Sequence, residues 1–375
     1  MSAGEKVKTG ETVKATEQNA GRSKLRTRVI RLGSVSFRFR PRSVLISAVL
    51  LLLVLLLMAF HIAYGGTVLP YDKVVAALLG DQSDSAIHLA STEFRAPRMA
   101  AAVLVGACLA ASGAITQTVA RNPLASPDIL GVTSGASFGA VSILVLAGGG
   151  YAGLSGLAAT VSMPAAAFGT GLLFGIAVYA FSYRRGVDGF RLVLVGLGIS
   201  GLATSLTTWL LTLGDVTNAA QALTWMMGSL NGKDWTLMQP MVCCGAVLLL
   251  CAFLLARPLF LTSLGEETAI SLGVRLGPLR LAALTTAALL ASLATVVAGP
   301  LGFVALASPQ VARLLLRAVN PPIFSSALVG AIFVLLADTV AAHSLSVALP
   351  VGVATAVVGA PYLIYLVLRS QRRLL

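Results

Sequence analysis

"SVLISAVLLLLVLLLMAFHIAY", residues 43–64, holds no acid and no base apart from a histidine near its end. A helix needs roughly 20 such residues to cross the hydrocarbon core of a bilayer. The run begins too late and extends too far for a secretory leader, and further apolar runs follow, so it reads as a retained first span. Composition agrees across the chain: 57% of residues are hydrophobic and 11% charged, where soluble domains carry about 25% charged residues. Apolar run length places further spans at 97–117, 131–150, 157–182, 190–213, 236–256, 280–299, 303–317, 323–341 and 348–368. The 303–317 run is the weakest, being short and carrying Arg313 near its end. The runs are continuous, not alternating, which points to helices over a barrel, since lipid offers no partner to an open backbone. The fold class is therefore all-α, a polytopic membrane protein with about ten transmembrane helices. Gly and Ala are frequent in the spans and let backbones approach closely.

Orientation follows from Lys and Arg. Residues 1–42 hold 11 of the 27. With ten spans, Arg121, Arg184, Arg185, Arg191, Arg257, Arg275, Arg280, Arg313, Arg317 and the C-terminal Arg369, Arg372 and Arg373 share that side. Lys73, Arg95, Arg98 and Lys233 fall on the other. The asymmetry predicts that both termini are cytoplasmic, and it accounts for a net charge of +13 without nucleic acid. The tail, residues 1–42, is polar and poor in aromatics and reads as disordered; residues 43–375 read as one membrane domain. No G-x-x-x-x-G-K-[ST] pattern occurs, so any energy from ATP must come from another chain. Cys108, Cys243, Cys244 and Cys251 lie in apolar runs without metal-ligand spacing and read as small buried hydrophobes.

A few segments carry more. In "RAPRMAAAV", Arg95 and Arg98 share a face if helical, and Pro97 suits a helix start. They either anchor the outer end of the second span or dock an acidic partner. "RNPLASPDILGV" is a break at Pro123 and Pro127, either an ordinary loop or a gate. Gln117 just before it can donate across helices. In "LTWMMGSLNGKDW", Trp225 and Trp235 fit interfacial anchoring, Gly228 and Gly232 permit turns, and Met226 and Met227 either pack or face a path. Asp338 is the one acid deep inside an apolar run, a costly placement. In "SLGEETAISLGV", Ser263 and Glu266 have capping-box spacing, Glu266 and Glu267 suit the positive helix end, and Gly273 can stop the helix. This short polar helix is either a linker or a peg for a soluble partner.

Together "RAPRMAAAVLVGACLAASGAITQTVARNPLASPDILGV", "WMMGSLNGKDW", "GEETAISLGV", "GPLGFVALASPQVARLL" and "LPVGVATAVVGAPYLIYLVLR" resemble the FecCD permeases of iron-siderophore and vitamin B12 ABC importers, in family order over nearly the whole membrane domain. The resemblance implies the type II ABC importer (vitamin B12 importer-like) permease fold. It implies a second permease subunit, identical or related, two cytoplasmic ATPase subunits, and an extracytoplasmic substrate-binding protein. ATP and Mg would sit on the ATPase; no cofactor and no catalytic residue are expected on this chain. The expected setting is the bacterial cytoplasmic membrane, and the expected cargo a ferric siderophore, with vitamin B12 or haem as alternatives. By resemblance, Arg95 and Arg98 receive the binding protein, and Asn122 and Leu124 form the cytoplasmic gate. The 184–190 loop matches a second gate region. Ser263, Leu264, Gly265, Glu266, Glu267, Ser271, Leu272 and Gly273 form the coupling helix on the ATPase. Two positions depart from the pattern. Ala342 and Ala348 stand where the family often has Arg and Glu, and the adjacent His343 is the expected partial substitute in docking.

Two rival classes lack their signatures. A secondary carrier or channel calls for more buried ionisable groups or a filter-like loop. A membrane enzyme calls for a nucleophile, base or metal cluster, whereas His61, His88 and His343 lie far apart.

Overall fold

The structure is a computed structural model and describes residues 28–32, 35–39, 41–64, 68–128, 130–146, 157–183, 189–343 and 349–371. The chain divides into two compact units, Met1–Val49 and Leu50–Leu375. In the first, strands β1 (Arg28–Leu32) and β2 (Val35–Phe39) pair antiparallel, with Arg28 opposite Phe39 and Leu32 opposite Val35. Composition pointed to disorder throughout this tail; its other residues up to 40 lie outside the described set.

Helix α1 (Pro41–Ala63) begins on a proline, whose missing N–H costs nothing in a first turn. It is followed by α2 (Tyr71–Leu78), α3 (Ser85–Leu89) and a π turn (Ala90–Arg95) that runs directly into α4 (Ala96–Ala120). Then come α5 (Val132–Leu146), α6 (Leu157–Ser182), α7 (Gly189–Leu213), α8 (Val216–Met226) and α9 (Trp235–Thr262). The chain ends with α10 (Glu266–Ser271), α11 (Leu276–Ala298), α12 (Val304–Leu316), α13 (Ile323–His343) and α14 (Val351–Gln371). Each span expected from run length contains a helix, with 147–150 of one expected span and Ala348 of another outside the described residues. Among the described residues seven helices are long and apolar enough to cross a membrane, and the shorter apolar ones are Val132–Leu146, Val304–Leu316 and Val351–Tyr362. The short helices α2, α3 and α8 were not foreseen; they carry too few periodic residues to stand out from loops.

α4 is the axis of the larger unit, packing on α13, α11, α12 and α9. Lipid tails are as apolar as leucine, so close packing and polar contacts, not water exclusion, hold such helices together. Small residues make this possible. Gly106 of α4 faces Gly330 of α13 so closely that a Cβ on either would strike the other's carbonyl oxygen. Ser112 adds a hydrogen bond from Oγ to the Ala287 carbonyl of α11, 2.7 Å. α1 is the opposite case: Leu51, Leu52, Leu53, Leu55 and Leu56 are exposed, the pattern of a lipid-facing helix.

The turns have local causes. Arg121 closes α4 in the left-handed region, φ 51°, and Pro123 and Pro127 prevent the helix from resuming. Gly228 and Gly299, at φ 74° and 73°, bring the α8–α9 and α11–α12 turns together, and Ser229 N–H donates to the Ala298 carbonyl at 2.7 Å. Gly273 ends α10 in the left-handed region, with its own N–H on Ile270 and that of Val274 on Ala269, a Schellman pair. The expected capping box does not form. Gly265 is the N-cap of α10, and Ser263 closes α9, its Oγ donating to the Phe260 carbonyl. α9 runs on past its expected end to Thr262, so Ser263 is used up as its C-cap.

Candidate functional site

Three places on the larger unit gather polar side chains. At the start of α4, Asp338 of α13 is fully buried between two partners. Arg98 holds it bidentately, Nε to Oδ2 and Nη2 to Oδ1, both 2.8 Å. His61 Nε2 lies 2.7 Å from Oδ2. A carboxylate is tolerated among apolar helices when it is paired in this way. Arg95 donates through Nη1 to the Ile62 and Ala63 carbonyls at the end of α1, at 2.8 and 3.0 Å. Cations suit a helix C-terminus, where carbonyls lack helical partners. Both arginines singled out in the sequence thus have partners inside the chain. His343 ends α13, and its side chain, like Ala348, lies outside the described residues. The structure joins Asp338 and His61, which sequence reading treated separately. A charged or titratable residue inside an apolar run was the available signal.

In the middle, a cavity of about 470 Å³ is bounded by the α4–α5 turn, α5, α7, the end of α8 and the α11–α12 turn. Four of its hydroxyls spend their hydrogens on the chain itself, while Ser134 keeps a free one among the described residues. Thr204 donates to the Ser200 carbonyl, Thr207 to Ala203, Ser137 to Thr133, and Thr133 to the Asp128 carboxylate at 2.6 Å. The wall therefore offers mainly methyl groups, lone pairs and apolar side chains such as Met226, Leu301 and Phe303. Burial pushes the Asp128 carboxyl up to about 6, against the opposing pull of the Thr133 hydrogen bond. Asp128 was not singled out from sequence, because it looks like an ordinary turn residue after Pro127.

At the far end of α4, roughly 35 Å along its axis, a second cavity of about 320 Å³ is lined by Gln117, Arg121, Asn122, Pro123, Ser263, Gly265, Gln310 and Arg313. Gln117 donates to the Leu306 carbonyl at 3.1 Å and accepts from Gln310, tying α4 to α12. Asn122 Oδ1 accepts from Leu124 N–H at 2.9 Å, an Asx turn. The two expected gate residues thus part: Asn122 faces the cavity and Leu124 is exposed. The 184–188 part of the other expected gate lies outside the described residues. On α10, Glu266 Oε1 meets Arg280 Nη2 at 2.7 Å and Arg121 Nη2 at 3.0 Å. Glu267 is exposed, as are Leu264, Ile270 and Leu272, while Ser271 Oγ bonds back to the Glu267 carbonyl. Among the described residues no group of three or more His, Cys, Asp or Glu could hold a metal.

Apolar helices around a buried axis, a weakly adhesive cavity part-way along it and a polar helix exposed at one end define a multi-pass membrane permease. The family model for the FecCD transport family matches residues 49–369, and the chain belongs to that family of ABC importer permeases. It is 36% identical to the ferric enterobactin transport system permease protein FepG of Escherichia coli (strain K12), over 82% of this chain and 91% of that protein. It is 32% identical to the Fe(3+)-citrate import system permease protein YfmE of Bacillus subtilis (strain 168), over 90% and 98%. It is 35% identical to the vitamin B12 import system permease protein BtuC of Salmonella paratyphi A, over 78% and 88%. A solved metal-chelate type ABC transporter in an inward-facing conformation superposes with a TM-score of 0.73 at 27% identity, covering 87% of this chain and 99% of that one. The fold is that of the vitamin B12 importer-like permeases.

Proposed function

We propose that this permease moves a ferric chelate, first of all a ferric siderophore, into the cytoplasm, driven by ATP hydrolysis on a partner chain. The observation that carries the cargo is the similarity to permeases named for ferric enterobactin and Fe(3+)-citrate. The similarity to the vitamin B12 permease supports a second reading, in which cobalamin is carried. The central cavity supports either, because a wall of methyls and lone pairs holds a cargo by many weak contacts and then releases it.

On this reading the Arg121 end faces the cytoplasm and both termini lie there, in a bacterial cytoplasmic membrane. A second permease subunit, identical or related, completes the path, and two ATPase subunits carry ATP and Mg. The exposed α10, with Glu267, Ile270 and Leu272, is the surface offered to the ATPase. A contact that differs between two ATPase states biases the permease between inward- and outward-facing forms, and one equal in both does not. At the other end an extracytoplasmic binding protein docks near Arg95 and Arg98. A guanidinium has five N–H donors, and Asp338 uses two of those on Arg98. The remaining donors are held in place for an incoming acidic side chain.

The test is co-purification from a mild detergent, followed by growth on single iron sources after deletion of the gene. Recovery of an ATPase and a permease partner, with loss of growth on one ferric siderophore, is the expected result. Wild-type growth on every chelate together with impaired cobalamin use moves the assignment to the second reading. A homogeneous chain with no ATPase, under conditions shown to preserve such complexes, removes both.

A further inference from the structure

We propose that the Glu266–Arg121 ion pair is the link through which movement of α10 reaches the turn after α4. The proposal rests on reading α10 as the ATPase-facing helix. α10 packs on α9 and α11, the two helices it joins. Between it and the α4 turn lies the cavity of about 320 Å³, walled by Ser263 and Gly265 on one side and by Arg121 and Asn122 on the other. Apolar packing cannot carry a displacement across an open space. The Arg121–Glu266 contact of 3.0 Å does cross it.

The two arms of Glu266 differ in kind. Arg280 lies on α11, just beyond α10, and its side chain is only 17% exposed, which makes this arm a fixed anchor. The Arg121 and Glu266 side chains are 54% and 40% exposed. Such a half-solvated pair adds little to stability and can open and close at small cost. Arg121 is also continuous with the turn it would move. It closes α4 with left-handed backbone, Asn122 N–H bonds to the Gln117 carbonyl, and Asn122 Oδ1 caps Leu124. A pull on the guanidinium therefore acts on the Asn122–Leu124 turn. A pair formed in one state and broken in the other supplies the differential contact that a two-state transporter needs. Arg121 and Arg280 are then positioning residues that act through Glu266.

The experiment uses the whole transporter in proteoliposomes and measures cargo moved per ATP hydrolysed, for the parent, Arg121→Gln, Glu266→Gln and the double variant. The ratio is expected to fall about tenfold in each single variant, with the ATPase still co-purifying. The double variant is expected to be no worse than the poorer single, because both changes remove one contact. Arg121→Lys, which keeps the charge, is expected to recover part of the ratio. An unchanged ratio in Arg121→Gln, or losses that multiply in the double variant, overturns the link. If Arg121→Gln does not assemble, Glu266→Gln on the exposed helix carries the same test, and an unchanged ratio there is equally fatal. Loss of the ATPase from Glu266→Gln makes Glu266 a docking residue instead. Absence of the ATPase from the parent complex removes the reading of α10 itself, and the link with it.

Discussion

Arg98 and Asp338 stand 240 positions apart in the chain and meet through two parallel hydrogen bonds of 2.8 Å. The pairing joins the first turn of α4 to the last turns of α13, and His61 extends it to the end of α1. Three helices whose buried apolar residues also pack together, among them Ile62, Met99 and Ala337, thus meet at one carboxylate. The same contact fixes the guanidinium that the binding protein is proposed to meet.

Removing the carboxylate strands two N–H groups of Arg98 and leaves His61 Nε2 without its partner. Breaking a fully buried pair costs about 3–5 kcal/mol; Arg98 still reaches water, so for Asp338→Ala we expect roughly 2–3 kcal/mol. Thermal unfolding in detergent should show the loss as a lowered midpoint. The double variant Asp338→Leu with Arg98→Met should recover much of it, because apolar replacement of a buried pair is often neutral. A single variant as stable as the parent would mean that water already occupies the site.

Docking at this end separates charge from placement. Arg98→Gln with Arg95→Gln should weaken the binding protein by about tenfold and flatten its salt dependence. Asp338→Asn keeps both guanidiniums and loosens only the support of Arg98, so it should cost less affinity and, with no cation removed, should not flatten the salt slope. Surface plasmon resonance at two salt concentrations distinguishes the cases. Identical affinity for all variants would leave the arginines as helix-end anchors alone.

The spans were readable because each is a continuous apolar run, and lipid permits few alternatives to a helix. The roles expected for Arg95, Arg98, Asn122, Leu124 and the 263–273 segment came from resemblance in a fixed order, which carries no geometry. What stayed hidden is pairing. Nothing local in the sequence says that His61 meets Asp338, or that Glu266 is shared by Arg121 and Arg280. The same limit explains the failed capping box: Ser-x-x-Glu spacing is a local rule, and the continuation of α9 to Thr262 overrode it. Asp128 escaped because a turn aspartate after proline is ordinary until the cavity beside it is seen.

The contact between Gly106 and Gly330 tests the packing of the axis. A Cβ at Gly330 meets backbone on α4, which cannot rotate away as a side chain could. Gly330→Val should separate α4 from α13 at a cost of about 3 kcal/mol or more, beyond the usual range for overpacking because the clash is with main chain. It should also disturb the Arg98–Asp338 contact on the same two helices. The expected readouts are poor recovery from the membrane and a lower melting point. Gly169→Ala is the control, since its Cβ would meet nothing within 4 Å. Equal behaviour of the two variants would contradict the close approach.

Asp128 gives a pH dependence of definite sign. Burial holds its carboxyl at about 6 in the folded protein, above the ordinary 3.8. The folded chain therefore binds this proton more tightly than the unfolded chain. The group's contribution is most favourable below the ordinary value and is lost as pH rises through about 6, on the order of 3 kcal/mol in all. Asp128→Asn removes the titration while keeping an acceptor for the Thr133 hydroxyl. The stability difference, parent minus variant, should thus fall between about pH 4 and about pH 7 and stay level above it. Other carboxylates titrate in both proteins and cancel in the difference. A difference that rises with pH would mean that Asp128 is held ionised by a partner, against the effect of its burial.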